Sequence, residues 1–209
     1  MIRPPGLTAM LLMDNRPADA TSAATGPADD GADPDLELVL RIGRGDQAAC
    51  AAFVERYIDR VQRLATRLTG NREDAEEATQ EVFIKVWQQA ARWTPGNARF
   101  STWLYRVATN VCYDRLRRRR EHEPMEAADH VSGGDTPEQV MGEVQRERDV
   151  AAALDALPER QRAAIVLCHY EGLSQREAAA TLEVSEEALE SLLARGRRSL
   201  RRSLTGDAR

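Results

Sequence analysis

The sequence predicts an all-α protein in which a flexible linker joins two small helical domains. Apolar residues recur every three or four positions over most of the chain, which is the period of amphipathic helices. We find no segment in which apolar and polar residues alternate as they do in a half-buried strand. An acidic stretch with prolines and paired glycines interrupts the helical pattern and marks the linker.

Composition and charge set the domain boundaries. Residues 1–35, with two arginines against six aspartates, show no periodicity, and we expect a disordered and dispensable tail. Residues 36–120, with sixteen basic residues against ten acidic ones, form the first domain. Residues 121–148 form a flexible acidic linker, and residues 149–205 form the second domain. The overall net charge of −5 therefore conceals a basic domain that is able to bind nucleic acid.

Three main helices are predicted in the first domain. The first begins at Asp46 and ends at Gly70, and Asn71 caps the second. The third starts around Ser101 and ends in the arginine-rich run 115–120. The first helix has one apolar stripe, formed by Ala49, Phe53, Tyr57, Val61, Leu64 and Leu68.

The second domain has the pattern of a helix-turn-helix unit. Pro158 occupies the first position of a helix that ends at Gly172. Ser174 caps a short helix, and after a tight turn Ser185 caps a last helix that extends to about Leu204.

Cysteine usage and hydropathy exclude several classes of protein. Cys50, Cys112 and Cys168 are odd in number and far apart in apolar helical patterns, which indicates reduced, buried thiols in a cytoplasmic protein. Adjacent residues point about 100° apart on a helix, so Cys168 and His169 do not favour a metal site, and no cofactor is predicted. No apolar run reaches the length of a membrane span, and the short stretch 6–13 does not favour a signal peptide.

Three motifs stand in this order along the chain: DAEEATQEVFIKVW (74–87), FSTWLYRVATN (100–110), and LPERQR with LSQREAA (157–162 and 173–179). They resemble those of the extracytoplasmic-function group (group IV) of sigma-70-type RNA polymerase sigma factors. Residues 74–87 (DAEEATQEVFIKVW) resemble the polymerase-binding helix of sigma domain 2. Residues 100–110 (FSTWLYRVATN) resemble the following segment, which recognises and melts the −10 element. Residues 157–162 (LPERQR) and 173–179 (LSQREAA) resemble the start of sigma domain 4. The resemblance extends over about residues 36–204.

This resemblance implies a non-enzymatic, alternative sigma factor that directs transcription initiation at specific promoters. Residues 36–120 would be sigma domain 2, and residues 149–205 would be the helix-turn-helix of domain 4, which recognises the −35 element. The resemblance also implies a role in a stress or envelope response and control by an anti-sigma factor that wedges between the domains or wraps them.

The second helix of the first domain is the predicted polymerase-binding site. By resemblance, its partner is the clamp-helix coiled coil of the largest polymerase subunit. Polar and aromatic side chains on an exposed helix face can anchor a protein partner, although a solvated amphipathic helix would have the same pattern. The predicted contacts are Asp74, Glu77, Gln80, Glu81, Phe83, Lys85 and Trp87.

Binding of the −10 element requires cations that contact phosphates and polar or aromatic groups that hold unstacked bases. The predicted contacts are Arg92, Arg99, Trp103, Tyr105, Arg106, Asn110, Asp114 and Arg117. At least one of Phe100 and Trp103 is expected in the core. The arginine-rich run 115–120 exceeds what a helix C-terminus needs, which indicates phosphate contact.

The helix that begins after Ser185 is the predicted −35 recognition helix. Many family members carry a basic residue before the serine of this helix and an arginine after it, whereas this chain has Glu190-Ser191-Leu192. The acidic start of the helix would repel phosphate if it faced the DNA backbone, although a glutamate can accept a hydrogen bond from cytosine. The predicted contacts are Arg176, Ser185, Glu187, Glu190, Ser191, Arg195 and Arg198.

Two other classes of protein are alternative interpretations of the sequence. A stand-alone helix-turn-helix transcriptional regulator would explain the second domain but would leave the first without a role. A helical carboxylate enzyme would need inward-facing Glu-x-x-His pairs, a spacing that the sequence lacks.

Overall fold

A computed structural model describes residues 33–94, 99–122 and 141–205. Within these ranges the regular structure is helical, as the sequence predicts. The helices are α1 (Leu36–Gly43), α2 (Gln47–Thr69), α3 (Arg72–Ala90), α4 (Phe100–His122), α5 (Met141–Asp155), α6 (Glu159–Ile165), α7 (Gln175–Leu182) and α8 (Glu186–Thr205). We call residues 33–122 the first module and residues 141–205 the second module.

The long helix α2 has the predicted ends and the predicted buried stripe. The Asp46 carboxylate accepts a hydrogen bond from the Ala49 amide at 3.1 Å, which satisfies one free donor at the helix start. Gly70 ends the helix with a φ of 68°, a left-handed conformation that glycine adopts without strain. The six residues of the predicted stripe are all buried, so this part of the prediction is confirmed.

An aromatic cluster forms the centre of the first module. Phe53 on α2 makes edge-on contacts with Phe83 on α3 and Phe100 on α4, with ring centroids 5.5 and 5.8 Å apart. Phe53 and Phe100 are fully buried. The cluster therefore joins three helices, and its aromatic pairs add to the free energy of area burial.

Two aspartates that the sequence places in the tail are parts of the fold. The Asp33 carboxylate accepts a hydrogen bond from the Phe100 amide, at the start of α4. The Asp35 carboxylate is buried, and it accepts hydrogen bonds from the Tyr57 hydroxyl and from Arg56. The predicted tail therefore does not extend to residue 35, since Asp33 and Asp35 belong to the first module. The sequence did not reveal this because their partners are distant in the chain. The rest of that prediction, and that of a signal peptide, concern residues 1–32, outside the described residues.

The helix-turn-helix of the second module is confirmed. The Ser174 hydroxyl and the Glu177 side chain cap α7 reciprocally. Glu183 makes the tight turn with a φ of 54°, and the Ser185 hydroxyl accepts a hydrogen bond from the Ala188 amide at the start of α8. Pro158 precedes α6 as its N-cap, one position before the place predicted for it.

The helices extend into the segment that the sequence assigns to the linker. α4 ends at His122, and α5 begins at Met141, so residues 141–148 are helical. The sequence did not predict this part of the helix, because α5 has few apolar residues before Val150. Residues 123–140 lie outside the described residues.

The two modules pack directly against each other. α4 lies against α7, and α2 lies against α5 and α6. The guanidinium of Arg162 on α6 is 9% exposed and donates a hydrogen bond of 2.7 Å to the carbonyl of Leu68, near the end of α2. A buried arginine of the second module thus satisfies a free carbonyl at a helix end of the first.

The three cysteines differ in how deeply they are buried. Cys112 is fully buried on α4, and burial raises the pKa of its thiol to about 12, so the thiol stays protonated. Cys50 and Cys168 are partly exposed, which corrects the prediction that all three are buried. All three are free thiols. Over the described ranges, no helix is long and apolar enough to cross a membrane.

Candidate functional site

The outer face of α3 carries two large apolar side chains. Ile84 is 47% exposed and Trp87 is 42% exposed. Gln80 lies one turn before Ile84 on the same face and is also exposed. Large aromatic and aliphatic side chains are enriched at the centres of protein interfaces, so this face is suited to a protein partner. We call Gln80, Ile84 and Trp87 the α3 stripe.

Ile84 was missed in the sequence analysis. The signal was available, because an apolar residue one turn from Gln80 lies on the polar face of the predicted helix. Phe83 was predicted as a polymerase contact, but it is 4% exposed and belongs to the aromatic cluster. α3 turns Phe83 towards α2, so this residue is not part of the exposed face of α3, and its role as a polymerase contact stays a prediction.

The predicted acidic contacts on α3 are engaged within the first module. Arg115 on α4 forms ion pairs with Asp74 at 3.8 Å and with Glu81 at 4.0 Å, and it also contacts Glu77. Arg119 pairs with Asp74 at 3.1 Å. These pairs tie α3 to α4 along their solvent edge. Of the acids, Glu77 keeps the most exposed side chain, at 55%.

The ion pairs also account for most of the arginine-rich end of α4. Besides Arg115 and Arg119, Arg117 pairs with Asp114 at 3.0 Å, and Arg120 pairs with Glu159 of the second module at 2.9 Å. Most arginines of the run 115–120 therefore form ion pairs within the chain, which the sequence analysis did not predict. Arg117 is 68% exposed and Arg120 is 72% exposed, so both can still reach a phosphate.

Most of the predicted −10 contacts lie along one edge of α4. The spacings of three, four, four and three residues place them one above another. The residues on this edge, which we call the predicted −10 edge, are Trp103, Arg106, Asn110, Asp114 and Arg117. Arg92 and Arg99 are exposed on either side of the segment 95–98, which the structure does not describe. The structure thus brings five of the eight predicted residues to one edge of α4, whereas Arg99 lines the cleft that also contains Tyr105.

The aromatic residues near the start of α4 divide between core and surface. Phe100 is fully buried, and Trp93 contacts it edge-on at 5.5 Å. Trp103 lies 5.2 Å from Phe100 and stays partly exposed. The prediction that at least one of Phe100 and Trp103 is core is confirmed, and Trp103 remains available to a base.

Tyr105 is the predicted −10 residue on a different face of α4. It is 5% exposed, and its hydroxyl donates a hydrogen bond of 3.1 Å to the Glu171 carboxylate of the second module. Burial and the nearby carboxylate raise the pKa of Tyr105, so the hydroxyl stays protonated as a donor. In this arrangement the second module covers Tyr105.

The helix α8 presents acids at its start and arginines further along. Leu189, Leu193 and Leu200 form its buried face. Glu187 and Glu190 are exposed, and the pKa of Glu187 is lowered by hydrogen bonds from the Ser185 side chain and its own backbone amide. The exposed arginines of α8 are Arg195, Arg197, Arg198, Arg201 and Arg202, and Arg176 is exposed on the neighbouring helix α7.

Ser191 and Arg195 lie together on α8. Arg195 donates a hydrogen bond of 2.9 Å to the Ser191 hydroxyl, which orients the guanidinium along the helix. Gly196 faces Ile165, and a Cβ there would lie 3.0 Å from the Ile165 side chain. Close packing of α8 on α6 thus fixes which side chains α8 presents to solvent.

The chain matches two protein families in the order that the motifs predict. Residues 53–122 match the family Sigma-70 region 2, and residues 147–200 match Sigma-70, region 4. The chain is similar in fold to the CnrH chain solved in complex with the cytosolic domain of CnrY. That alignment has a TM-score of 0.64 and 26% identity, and it covers 83% of this chain and 99% of CnrH.

Curated relatives agree with these matches. The ECF RNA polymerase sigma factor SigE of Mycolicibacterium smegmatis is 44% identical, over 75% of this chain and 63% of the relative. The ECF RNA polymerase sigma-E factor of Haemophilus influenzae is 34% identical, over 78% of this chain and 91% of the relative. The ECF RNA polymerase sigma factor SigW of Bacillus subtilis is 30% identical, over 79% and 94%. The chain therefore belongs to the ECF family of RNA polymerase sigma factors.

Proposed function

We propose that this chain binds core RNA polymerase through the α3 stripe and directs transcription initiation at specific promoters through α4 and α8. The observation that carries the proposal is the exposed pair Ile84 and Trp87 on the helix that precedes the predicted −10 edge. An apolar pair flanked by polar residues suits a coiled-coil partner such as the polymerase clamp helices. A stand-alone regulator would leave this pair without a role.

The −10 element is assigned to the exposed edge of α4. Arg106, which pairs with Glu183 of the second module at 3.3 Å, and the exposed Asn110 provide a cation and an amide on the same edge as the partly exposed ring of Trp103. Cations beside an aromatic ring are the combination that holds unstacked bases and their phosphates. The promoter's −10 bases therefore contact this edge once the duplex opens.

The −35 element is assigned to the start of α8, with the arginines behind it on phosphates. Glu190 and Ser191 are the proposed base contacts, and Arg198 is a proposed phosphate contact. Glu190→Ala should change which −35 base is preferred, whereas Arg198→Ala should weaken binding on all promoters and reduce the salt slope by about 0.9. Selection of −35 variants with each protein distinguishes the two roles.

An anti-sigma factor is the proposed regulatory partner. Because α4 and α7 are in contact, an inhibitor that wedges between the modules must first separate them. An inhibitor that wraps the outside can bind while the two modules stay in contact, an arrangement that we call the closed chain. Such an inhibitor can still cover the α3 stripe. Co-purification of such a partner from resting cells, and its loss from an Ile84→Ala, Trp87→Ala variant, is the expected result.

The test of the central proposal is binding to core polymerase. We expect the double variant Ile84→Ala, Trp87→Ala to lose at least tenfold in affinity, since central anchors contribute about 2 kcal/mol or more each. Both side chains are exposed, so the fold should persist. Ile58→Ala is the matched control, because Ile58 is 40% exposed on α2. If the double variant binds core polymerase as well as Ile58→Ala does, the α3 stripe is not the docking surface.

A further inference from the structure

Four arginines line one side of α2. Arg56, Arg60, Arg63 and Arg67 are spaced by four, three and four residues, which places them on one helix face about 16 Å long. This arginine face borders α4, since the Arg60 guanidinium lies 5.5 Å from the centre of the Tyr105 ring. The first module therefore has a second basic surface beside the −10 edge.

One carboxylate of the second module lies against the middle of the arginine face. Glu171 follows a short π-helix, Val166–Tyr170, that continues α6, and its side chain is only 4% exposed. Its carboxylate faces Arg60 at 3.5 Å and Arg67 at 3.7 Å, and it accepts the hydrogen bond from the Tyr105 hydroxyl. Two cations and a hydroxyl thus converge on one buried anion.

The distances show that the carboxylate matches these cations imperfectly. Hydrogen bonds between a guanidinium and a carboxylate are about 2.7–2.9 Å long, whereas both of these pairs are longer. A guanidinium has five N–H donors in a planar fork that fits phosphate as well as carboxylate. A phosphodiester group has a similar charge and a different spread of oxygens, so it can replace Glu171 between the same donors.

Arg56 pairs with a carboxylate of the first module and not with Glu171, so it is not part of the site around Glu171. It pairs with the buried Asp35 carboxylate at 2.6 Å and so belongs to the anchor of the first module. A cleft of about 380 Å³ lies between the modules, and Arg60, Tyr105 and Glu171 are among its lining residues. An anion from solvent therefore has a route to Arg60 and its neighbours.

We infer that Arg60, Arg67 and Tyr105 form a binding site for a backbone phosphate of promoter DNA, and that Glu171 occupies this site in the closed chain. The inference rests on the proposed function, because it adds a phosphate contact on the face of α4 that adjoins the −10 edge. In the closed arrangement the second module competes with DNA for the site. Separation of α7 from α4 frees the two arginines and the tyrosine together.

The test uses the full-length chain and a labelled poly(dT) single strand, whose binding depends on phosphates and not on a promoter sequence. Glu171→Gln keeps the size and a hydrogen-bond acceptor but removes the negative charge. We expect this variant to bind poly(dT) about tenfold more tightly at low salt, with a salt slope steeper by about 0.7 for each freed arginine. Glu159→Gln is the matched control, since it removes a different ion pair between the modules, that with Arg120, away from the site.

A second set of variants separates the site from a general loosening of the modules. Arg60→Ala with Arg67→Ala should abolish the gain from Glu171→Gln, while Arg60→Lys with Arg67→Lys should retain much of it because the charges remain. Circular dichroism checks that each variant stays helical. The inference is wrong if Glu171→Gln and Glu159→Gln bind poly(dT) equally, or if the gain persists without the two arginines.

Binding of the same variants to core polymerase distinguishes this inference from the proposed function. Glu171 and the arginine face are apart from the α3 stripe, so Glu171→Gln should bind core polymerase at least as well as the wild type. A wild-type chain that fails to bind core polymerase would refute the proposed function. A gain in poly(dT) binding that needs Arg60 and Arg67 would still support the phosphate site.

Discussion

Helix α4 is buried on two faces of different chemistry. The face towards α2 and α3 is apolar, and it consists of Phe100, Leu104, Ala108 and Val111. The face towards the second module carries Thr102, Tyr105 and Thr109 and meets the carboxylate of Glu171. One helix therefore takes part in a domain core and in an interface between modules.

The apolar face of α4 is closely packed, whereas, in the part of the chain that the structure describes, the polar face includes buried hydroxyls without hydrogen-bond partners. The hydroxyls of Thr109 and Tyr113 are buried without a hydrogen-bond partner among the described residues. A buried hydroxyl without a partner costs about 1–3 kcal/mol. Interfaces between domains are generally more polar than cores, and relative motion of the domains is then expected. We therefore expect the second module to be the part that moves, while the apolar core of the first module persists.

Phe100→Ala should have the largest effect, because it removes a ring that contacts Phe53, Trp93 and Trp103. We expect the free energy of unfolding to fall by about 3–5 kcal/mol, measured by urea denaturation of the full chain. Asn110→Ala, an exposed change on the same helix, should stay within about 0.5 kcal/mol. Similar losses for the two variants would contradict an apolar core at this face.

Arg162→Ala should have an intermediate effect confined to the junction of the modules. The variant loses the hydrogen bonds to the carbonyls of Leu68 and Asp155 and the ion pair with the Asp155 carboxylate at 3.2 Å. We expect a loss of about 2–3 kcal/mol, since hydrogen bonds from a charged donor contribute more than neutral ones. Arg160→Ala is the control, because Arg160 is exposed two residues earlier.

Hydrogen exchange localises the effect of Arg162→Ala. The amides near the end of α2 and in α5 should exchange faster, while those of the aromatic cluster keep their protection. Uniformly faster exchange throughout the first module would show that the inter-module contact is part of one cooperative core.

Asp33→Ala should have the smallest effect. It removes the acceptor for the Phe100 amide and should cost about 1 kcal/mol, as loss of a helix cap does. A truncation that begins at Asp33 keeps the cap, whereas one that begins at Asp35 removes it. Thermal melting of the two truncations compares them directly, and equal melting temperatures would show that Asp33 does not stabilise α4.

Local signals in the sequence predicted the helices well. Asp46, Asn71, Ser174 and Ser185 each cap a helix through a side chain that contacts an amide three residues away. Such contacts depend only on neighbouring residues, so spacing and residue type reveal them. The apolar stripe of α2 is predictable for the same reason.

Contacts between distant segments could not be predicted in this way. Asp33 and Phe100 are far apart in the chain, and so are Leu68 and Arg162. Phe83 also shows the limit, because the choice between core and surface at a helix edge depends on where α2 lies. The polar face of α4 was hidden because Tyr105 has the residue type of a base contact, and only the fold places Glu171 against it.

We expect the second module of this sigma factor to separate from α4 when the protein binds polymerase and promoter. Single-molecule energy transfer tests it, with labels on unnatural amino acids at Glu37 on α1 and Ala194 on α8, both exposed. The free chain should give one high-transfer population, which shifts to low transfer in the complex with core polymerase and to an intermediate position in free Glu171→Gln. An unchanged high-transfer population in a transcriptionally active complex would contradict the claim.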